Sequence, residues 1–168
     1  ADPFPWGEPM KFLVDRNLGK LARWLRALGV DAVLDRGDIG RALLDRGYRE
    51  GRAVLTKRKD MALRNYRGRL HVVGPDDLPG QLREVLGAFS LEPDRSRFFT
   101  RCLLCNEVLR YLAPEKAAPF VPPYVLQTQD TFRQCPACGR IYWAGTHRDH
   151  ILKDAGRILE PPGETEKA

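Results

Sequence analysis

The sequence predicts an α/β protein: a parallel sheet covered by helices on both faces, followed by a small module carrying paired cysteines. Three observations lead there. Short β-rich runs alternate with helical patterns over residues 10–90. The connections between them are short, and right-handed crossovers then bring every strand's carboxyl end to one edge. Downstream the composition changes, and four cysteines fall into two Cys-x-x-Cys pairs.

The first strand is Lys11–Asp15, an apolar run, Phe12-Leu13-Val14, that stops on a carboxylate. A helix over Leu18–Leu28 follows, because Leu18, Leu21, Ala22, Leu25 and Leu28 recur at helical spacing. Lys20, Arg23 and Arg26 lie off that stripe. Val30–Leu34 is the second strand. Asp38–Arg49 is the second helix, with Ile39, Ala42, Leu43 and Leu44 inward and Gly47 near its end. Arg52–Thr56 and Leu70–Val73 complete the sheet. A short helix over Asp60–Tyr66 joins them, and a last one over Leu78–Phe89 carries the stripe Leu82, Val85, Leu86, Phe89.

Ser90–Phe98 reads as a boundary. Val108–Leu112 and strands within Thr131–Trp143 flank the cysteine pairs, Ala113–Pro123 is a proline-rich loop, and His147–Leu159 is a closing helix. The expected organisation is an arm over 1–9, an α/β domain over 10–90, a cysteine module over 98–150, and a helix with a polar tail over 151–168.

In open α/β sheets ligands bind outside the carboxyl ends of the strands. Asp15 ends the first strand there, Asp35 and Asp38 follow the second, and Thr56, Lys57, Arg58, Lys59 and Asp60 follow the third. Converging carboxylates take hard divalent cations, Mg²⁺ or Mn²⁺. Each acid also has a plain structural reading: a turn former for Asp35, a helix N-cap for Asp38, a local backbone acceptor for Asp31. The chain carries a net charge of +6. Residues 1–90 hold 17 Lys+Arg against 12 Asp+Glu, and residues 91–168 hold 11 against 10, so the excess sits in the first part. Such a surface favours an anionic partner, most often nucleic acid.

Cys102-Leu-Leu-Cys105 and Cys135-Pro-Ala-Cys138-Gly139 have the spacing of a tetrahedral zinc site, in a zinc-ribbon layout. Two disulfides are the competing reading, and they belong to secreted chains. The chain opens without a charged-then-apolar leader pattern, which points to zinc and to the cytoplasm. No apolar run approaches the ~18 residues of a membrane helix. Tyr142 and Trp143 are candidates for stacking on bases or for packing. His71 reads as structural, Trp24 as a core residue or a stacking face, and His147 as a helix-start, packing or RNA contact.

The stretch "FLVDRNLGKLARWLRALGVD" strongly resembles the opening motif of the Mut-seven C-terminal RNase domain family. "EGRAVLTKRKD", "FTRCLLCN" and "RQCPACGRIYWAGTH" are similar to its later segments, so the resemblance covers about Met10 to His150. It implies a PIN-like three-layer α/β/α domain with an appended zinc ribbon held by Cys102, Cys105, Cys135 and Cys138, and metal-dependent cleavage of RNA. Asp15 matches the first acid of the PIN-like site, and Asp38 the acid that opens the second helix. Where the family has Thr-Arg-Asp, this chain has Thr56-Lys57-Arg58, with Asp60 two residues on.

Two main functions follow as expectations, beside a third in which the chain is a protein-interaction domain and zinc only staples the fold. In the first, Asp15, Asp38 and Asp60 hold Mg²⁺ or Mn²⁺ for phosphodiester hydrolysis, while Arg16, Lys20, Arg23, Lys57, Arg58 and Lys59 position RNA. In the second, the same fold binds RNA or a ribonucleoprotein without cutting. An upstream domain or a larger RNA machine is an expected companion.

Overall fold

The structure, a computed structural model, describes residues 9–38 and 40–160, with all their side chains except those of Thr146 and His147. The chain divides into two compact units, the first ending at Val108 and the second beginning at Leu109.

The first unit is built on a four-stranded parallel sheet, β1 (Lys11–Val14), β2 (Asp31–Leu34), β3 (Ala53–Thr56) and β4 (Leu70–Val72), in the order β2-β1-β3-β4. The register pairs Val14 with Leu34 and with Leu55. Helices α1 (Gly19–Ala27), α2 (Arg41–Glu50) and α3 (Leu78–Ala88) cover it. Alternation along β1 divides its side chains between two layers. Leu13 joins Leu43, Leu44, Val54 and Met61 on the α2 face. Phe12 turns the other way, edge-on to Phe89 at 5.0 Å, just beyond α3. The apolar stripe read for α1 is buried throughout.

Gly47 sets how closely α2 approaches the sheet. A Cβ there would stand 2.4 Å from Val54 Cγ2. Gly51, at φ +67, then ends the helix in the left-handed region, and the N–H of Arg52 reaches back to the Gly47 carbonyl at 2.8 Å.

Several expectations need correction. Helix α2 starts at Arg41 with Gly40 as its N-cap, so Asp38 is not the cap. Ala42 is exposed, while Ile39 lies outside the described residues. The segment expected as a helix over Asp60–Tyr66 is a 3-10 turn over Lys59–Leu63, in which only Met61 is buried; one anchor does not hold a longer helix. Arg26, although off the apolar stripe, is only 6% exposed. The tail and all but Pro9 of the arm lie outside the described residues.

The second unit has a three-stranded antiparallel sheet, β5 (Arg110–Leu112), β6 (Phe132–Gln134) and β7 (Ile141–Trp143), in sequential order. Its core joins Ala117, Val121, Val125 and Phe132 with Leu112, Ile141 and Trp143. Trp143 packs there, tilted against Phe132 at 6.4 Å. The segment read as a proline-rich loop contains helix α4 (Pro114–Ala117), and α5 (Pro123–Thr128) follows. Both begin on a proline at their first position, where the missing N–H costs nothing and the fixed φ suits a helix. Helix α6 (Thr146–Leu159) closes the unit.

Candidate functional site

The strand order reverses at β1: the chain steps from β1 to β2 on one side, then crosses to β3 on the other. This is the switch point at which adjacent crossovers diverge and leave a crevice at the carboxyl edge. Asp15 and Thr56 stand on its two sides. The Asp15 N–H extends the ladder to the Leu55 carbonyl at 2.8 Å. Its carboxylate, 7% exposed, accepts from the Thr56 hydroxyl, 2.8 Å from Oδ2. Among the described residues, nothing donates to the other oxygen, Oδ1. Thr56 Oγ1 in turn accepts the Arg58 N–H at 3.1 Å, which fixes its hydrogen toward Asp15.

Asp35 is the neighbour of Asp15 on the next strand. Its N–H donates to the Val14 carbonyl at 2.8 Å, and its carboxylate is 1% exposed. That carboxylate accepts from the N–H groups of Gly37 at 3.3 Å and Asp38 at 3.2 Å, a turn formed by the side chain itself. The turn reading of Asp35 therefore holds, and the residue also supplies a second buried acid beside Asp15. A sequence signal for it exists: "LVD" ends β1 and "VLD" ends β2, two strands that finish alike. Asp38 follows on the loop, and Arg46 of α2 lies 3.4 Å from both Asp35 Oδ1 and Asp38 Oδ2. Burial works against the Arg46 cation, yet Glu50 at 2.7 Å and Asp38 outweigh it and hold its pKa above the ordinary value.

Asp60 is placed differently from the other two predicted acids. It lies on the 3-10 turn, half exposed, gripped by the Arg58 fork at 3.0 and 3.3 Å, with Arg64 at 3.9 Å. Arg58, which stands where the family pattern has an acid, is thus charge-compensated locally. Lys57 points its ammonium at the carbonyls of Gly74 and Pro75 and at Asp76, at 3.2, 3.0 and 2.5 Å. Those contacts, Lys57 first, hold the Asp76 carboxyl below its usual range. Arg16, Lys20, Arg23 and Lys59 are exposed. Asp77 caps α3 by accepting the Gly80 N–H at 2.8 Å.

The donor chemistry at this edge suits a hard divalent cation: carboxylate oxygens, one of them on a buried acid with an oxygen open to a ligand. Among the described residues, however, no three acids bring their oxygens within 4.8 Å of one another. The Arg46 guanidinium lies between two of them.

The cysteines do meet that spacing. Ligand sulfurs of Cys102, Cys105, Cys135 and Cys138 all lie within 4.8 Å of one another. Four thiols fit Zn²⁺ in a closed structural site. Each knuckle turns in the same way. The N–H groups of Cys102 and Asn106 pair with the carbonyls of Glu107 and Cys102, and those of Cys135 and Gly139 with the carbonyls of Arg140 and Cys135. Asn106 and Gly139, each just after the second cysteine of its pair, adopt φ +67 and +76. Asparagine tolerates that region, and here its side chain has further work. Its Oδ1 accepts the Ala32 N–H at 3.0 Å, and its Nδ2 donates to Asp31 at 2.7 Å.

Asp31 therefore bonds side chains, not nearby backbone as expected, for Arg52 also reaches it at 2.7 Å. Burial opposes its ionisation, but the hydrogen bonds from Arg52 and Asn106 prevail and hold its pKa below the ordinary value. Arg26 completes the seam. Its Nε donates to the Ala32 carbonyl at 2.8 Å, and its Nη1 to those of Leu103 at 2.8 Å and Leu104 at 3.1 Å. The first knuckle is thus fastened to β2 and α1 through named bonds.

Against known families, the model described as the Mut7-C RNAse domain matches residues 10–154. No curated protein and no solved structure matches the chain.

Proposed function

Because the chain belongs to the Mut7-C RNAse domain family, we propose that it hydrolyses RNA phosphodiesters at the carboxyl edge of its parallel sheet. One observation carries the reading: a buried carboxylate, Asp15, is oriented by the Thr56 hydroxyl at the sheet's switch point, with a second buried acid, Asp35, on the adjoining strand. Asp15, Asp35 and Asp38 would hold Mg²⁺ or Mn²⁺. When bound, that ion supplies activation of water and stabilisation of the leaving oxygen. Arg46 has to release Asp35 and Asp38 for this, and its Glu50 contact keeps a place for it to turn to.

Thr56 holds Asp15 Oδ2, which leaves Oδ1 as the oxygen that would meet a ligand. Arg16, Lys20, Arg23 and Lys59 supply exposed positive charge for the phosphate backbone, which gives affinity without sequence information. Lys57 and Arg58 already have partners and would join only by exchanging them. Asp60 stays outside the acid set, as the counter-ion of Arg58.

The Arg58–Asp60 pair also favours a second reading, in which the fold grips RNA without cutting it. Labelled RNA incubated with the zinc-loaded protein and Mn²⁺ separates the two. Cleavage that disappears in Asp15→Asn, a variant that still accepts the Thr56 hydrogen bond, supports the nuclease. Salt-sensitive binding with no cleavage at any Mn²⁺ concentration refutes it in favour of the second.

A further inference from the structure

Helix α2 carries Arg46 and Glu50 one turn apart, so their side chains meet on one face. Arg46 is held unevenly between its partners. Its Nε donates to Glu50 Oε2 at 2.7 Å, a short bond between charged groups. Its Nη1 reaches Asp35 Oδ1 and Asp38 Oδ2 at 3.4 Å each, longer than the usual N–H···O bond. The contacts to the two acids are therefore the ones that give way. Among the described residues Nη2 donates to nothing, and the side chain is 28% exposed. Asp35 keeps the N–H groups of Gly37 and Asp38 when Arg46 turns away.

We propose that Arg46 makes divalent-ion binding at this edge depend on RNA: its guanidinium is the resident counter-ion of Asp35 and Asp38, and it leaves them for a phosphate of the bound strand. The inference deepens the proposed function and rests on it. Without RNA the guanidinium offsets the charge of the two carboxylates and repels a divalent cation beside them. A phosphate offers the planar fork two parallel bonds to oxygen, a better match than one nitrogen shared by two distant carboxylates. A turn about the Glu50 bond frees Nη1 and Nη2 together for that fork. Asp35 and Asp38 then regain their full charge, and the phosphate adds its own. Affinity for the ion and affinity for RNA rise by the same factor, because linkage is reciprocal. Lys57 and Arg58 pair with Asp76 and Asp60 instead, so drawing them onto a phosphate frees no acid of the Asp15–Asp35–Asp38 set.

The test uses the full zinc-loaded chain and reads Mn²⁺ binding rather than cleavage. Free Mn²⁺ is followed by its EPR signal, with and without a 2′-O-methylated 12-nucleotide oligouridylate whose integrity is checked on a gel. Binding of Mn²⁺ to the oligonucleotide alone is subtracted. In the wild type the oligonucleotide should tighten Mn²⁺ binding about tenfold. Arg46→Gln should bind Mn²⁺ about tenfold tighter than the wild type without RNA, and gain little when the oligonucleotide is added. Arg46→Lys, which keeps the charge and loses the fork, should bind Mn²⁺ as weakly as the wild type and gain less from the oligonucleotide. Zinc content and the urea midpoint confirm that each variant is folded. Equal Mn²⁺ affinity of Arg46→Gln and the wild type without RNA overturns the proposal, as does a full gain in either variant. If the wild type cuts RNA while Arg46→Gln binds Mn²⁺ no tighter, the coupling falls and the nuclease reading stands. If the coupling appears and no RNA is cut, the coupling stands and the nuclease reading falls. If no chain binds Mn²⁺ even with RNA present, both fall.

Discussion

Replacing Arg26 by Met tests the seam between the first knuckle and the sheet. Methionine keeps much of the volume and the apolar stem, so little cavity forms. The variant removes three donated hydrogen bonds, to Ala32, Leu103 and Leu104. At about 1.5–3 kcal/mol for each bond to a charged group, a naive sum is far too large. Burial itself pulls the Arg26 pKa down, with Cys102 and Cys105 opposing, so removing the cation recovers a desolvation cost. The Leu104 residue is 41% exposed, and its carbonyl can find water. The carbonyl of Ala32 belongs to a residue 0% exposed and loses its Arg26 partner. One stranded buried acceptor costs roughly 1–3 kcal/mol, a fall in Tm of about 2–12 °C for a chain of this size. Arg26→Lys should recover only part, since an ammonium lacks the fork that reaches three carbonyls. Urea unfolding of the zinc-loaded protein gives the energy, and the rate of zinc transfer to a chromogenic chelator reports on the knuckle. The reasoning is refuted if Arg26→Met unfolds within about 0.5 kcal/mol of the wild type, the range of an ordinary surface substitution, and releases zinc no faster.

Gly47→Ala drives a Cβ to 2.4 Å from Val54 Cγ2, and should destabilise by about 1–3 kcal/mol in urea, despite alanine's better helix propensity. Asp31 has a folded pKa below its unfolded value, so its stabilisation is complete above the unfolded pKa and is lost as pH falls through the folded one. Stability measured from pH 6 downward should therefore fall below about pH 4, and Asp31→Asn should be less stable near neutrality with a shallower acid limb. Removal of zinc by chelator should unfold the second unit, whose three-residue strands and small core are too little to stand alone. Loss of structured Trp143 fluorescence, with one zinc released per chain, checks this.

Periodicity made the first unit legible. Strand ends at Val14, Leu34 and Thr56 fall within one residue of the reading, because these largely buried parallel strands are short apolar runs that turn residues bound sharply. Prolines misled in the second unit: Pro114 and Pro123 signal breaks in composition but helix starts in context. Arg26 was illegible for another reason. A cation beside an apolar stripe reads as solvated, and the carbonyls that allow it inside come from Ala32 on β2 and from the long-range return of Leu103 and Leu104. Asp31 was hidden in the same way, since its partners Arg52 and Asn106 are 21 and 75 residues away.

The substitution at position 58 changes where negative charge can collect, more than how much there is. An unpaired arginine 4 Å from a divalent ion would oppose it by about 4 kcal/mol per unit charge near a protein surface. Arg58 is not unpaired: Asp60 meets its guanidinium through two hydrogen bonds, and the pair is close to neutral at a distance. The backbone of Arg58 meanwhile donates to Thr56, the residue that orients Asp15. Asp60 is engaged by Arg58 and Arg64, and on the proposed reading the acid beside Asp15 is Asp35, from the other side, just past β2. An edge of this kind has Asp15 at the centre, Asp35 and Asp38 to one side, and a compensated cation to the other. Its capacity for a metal then depends on Arg46, the one guanidinium the described residues place between Asp35 and Asp38.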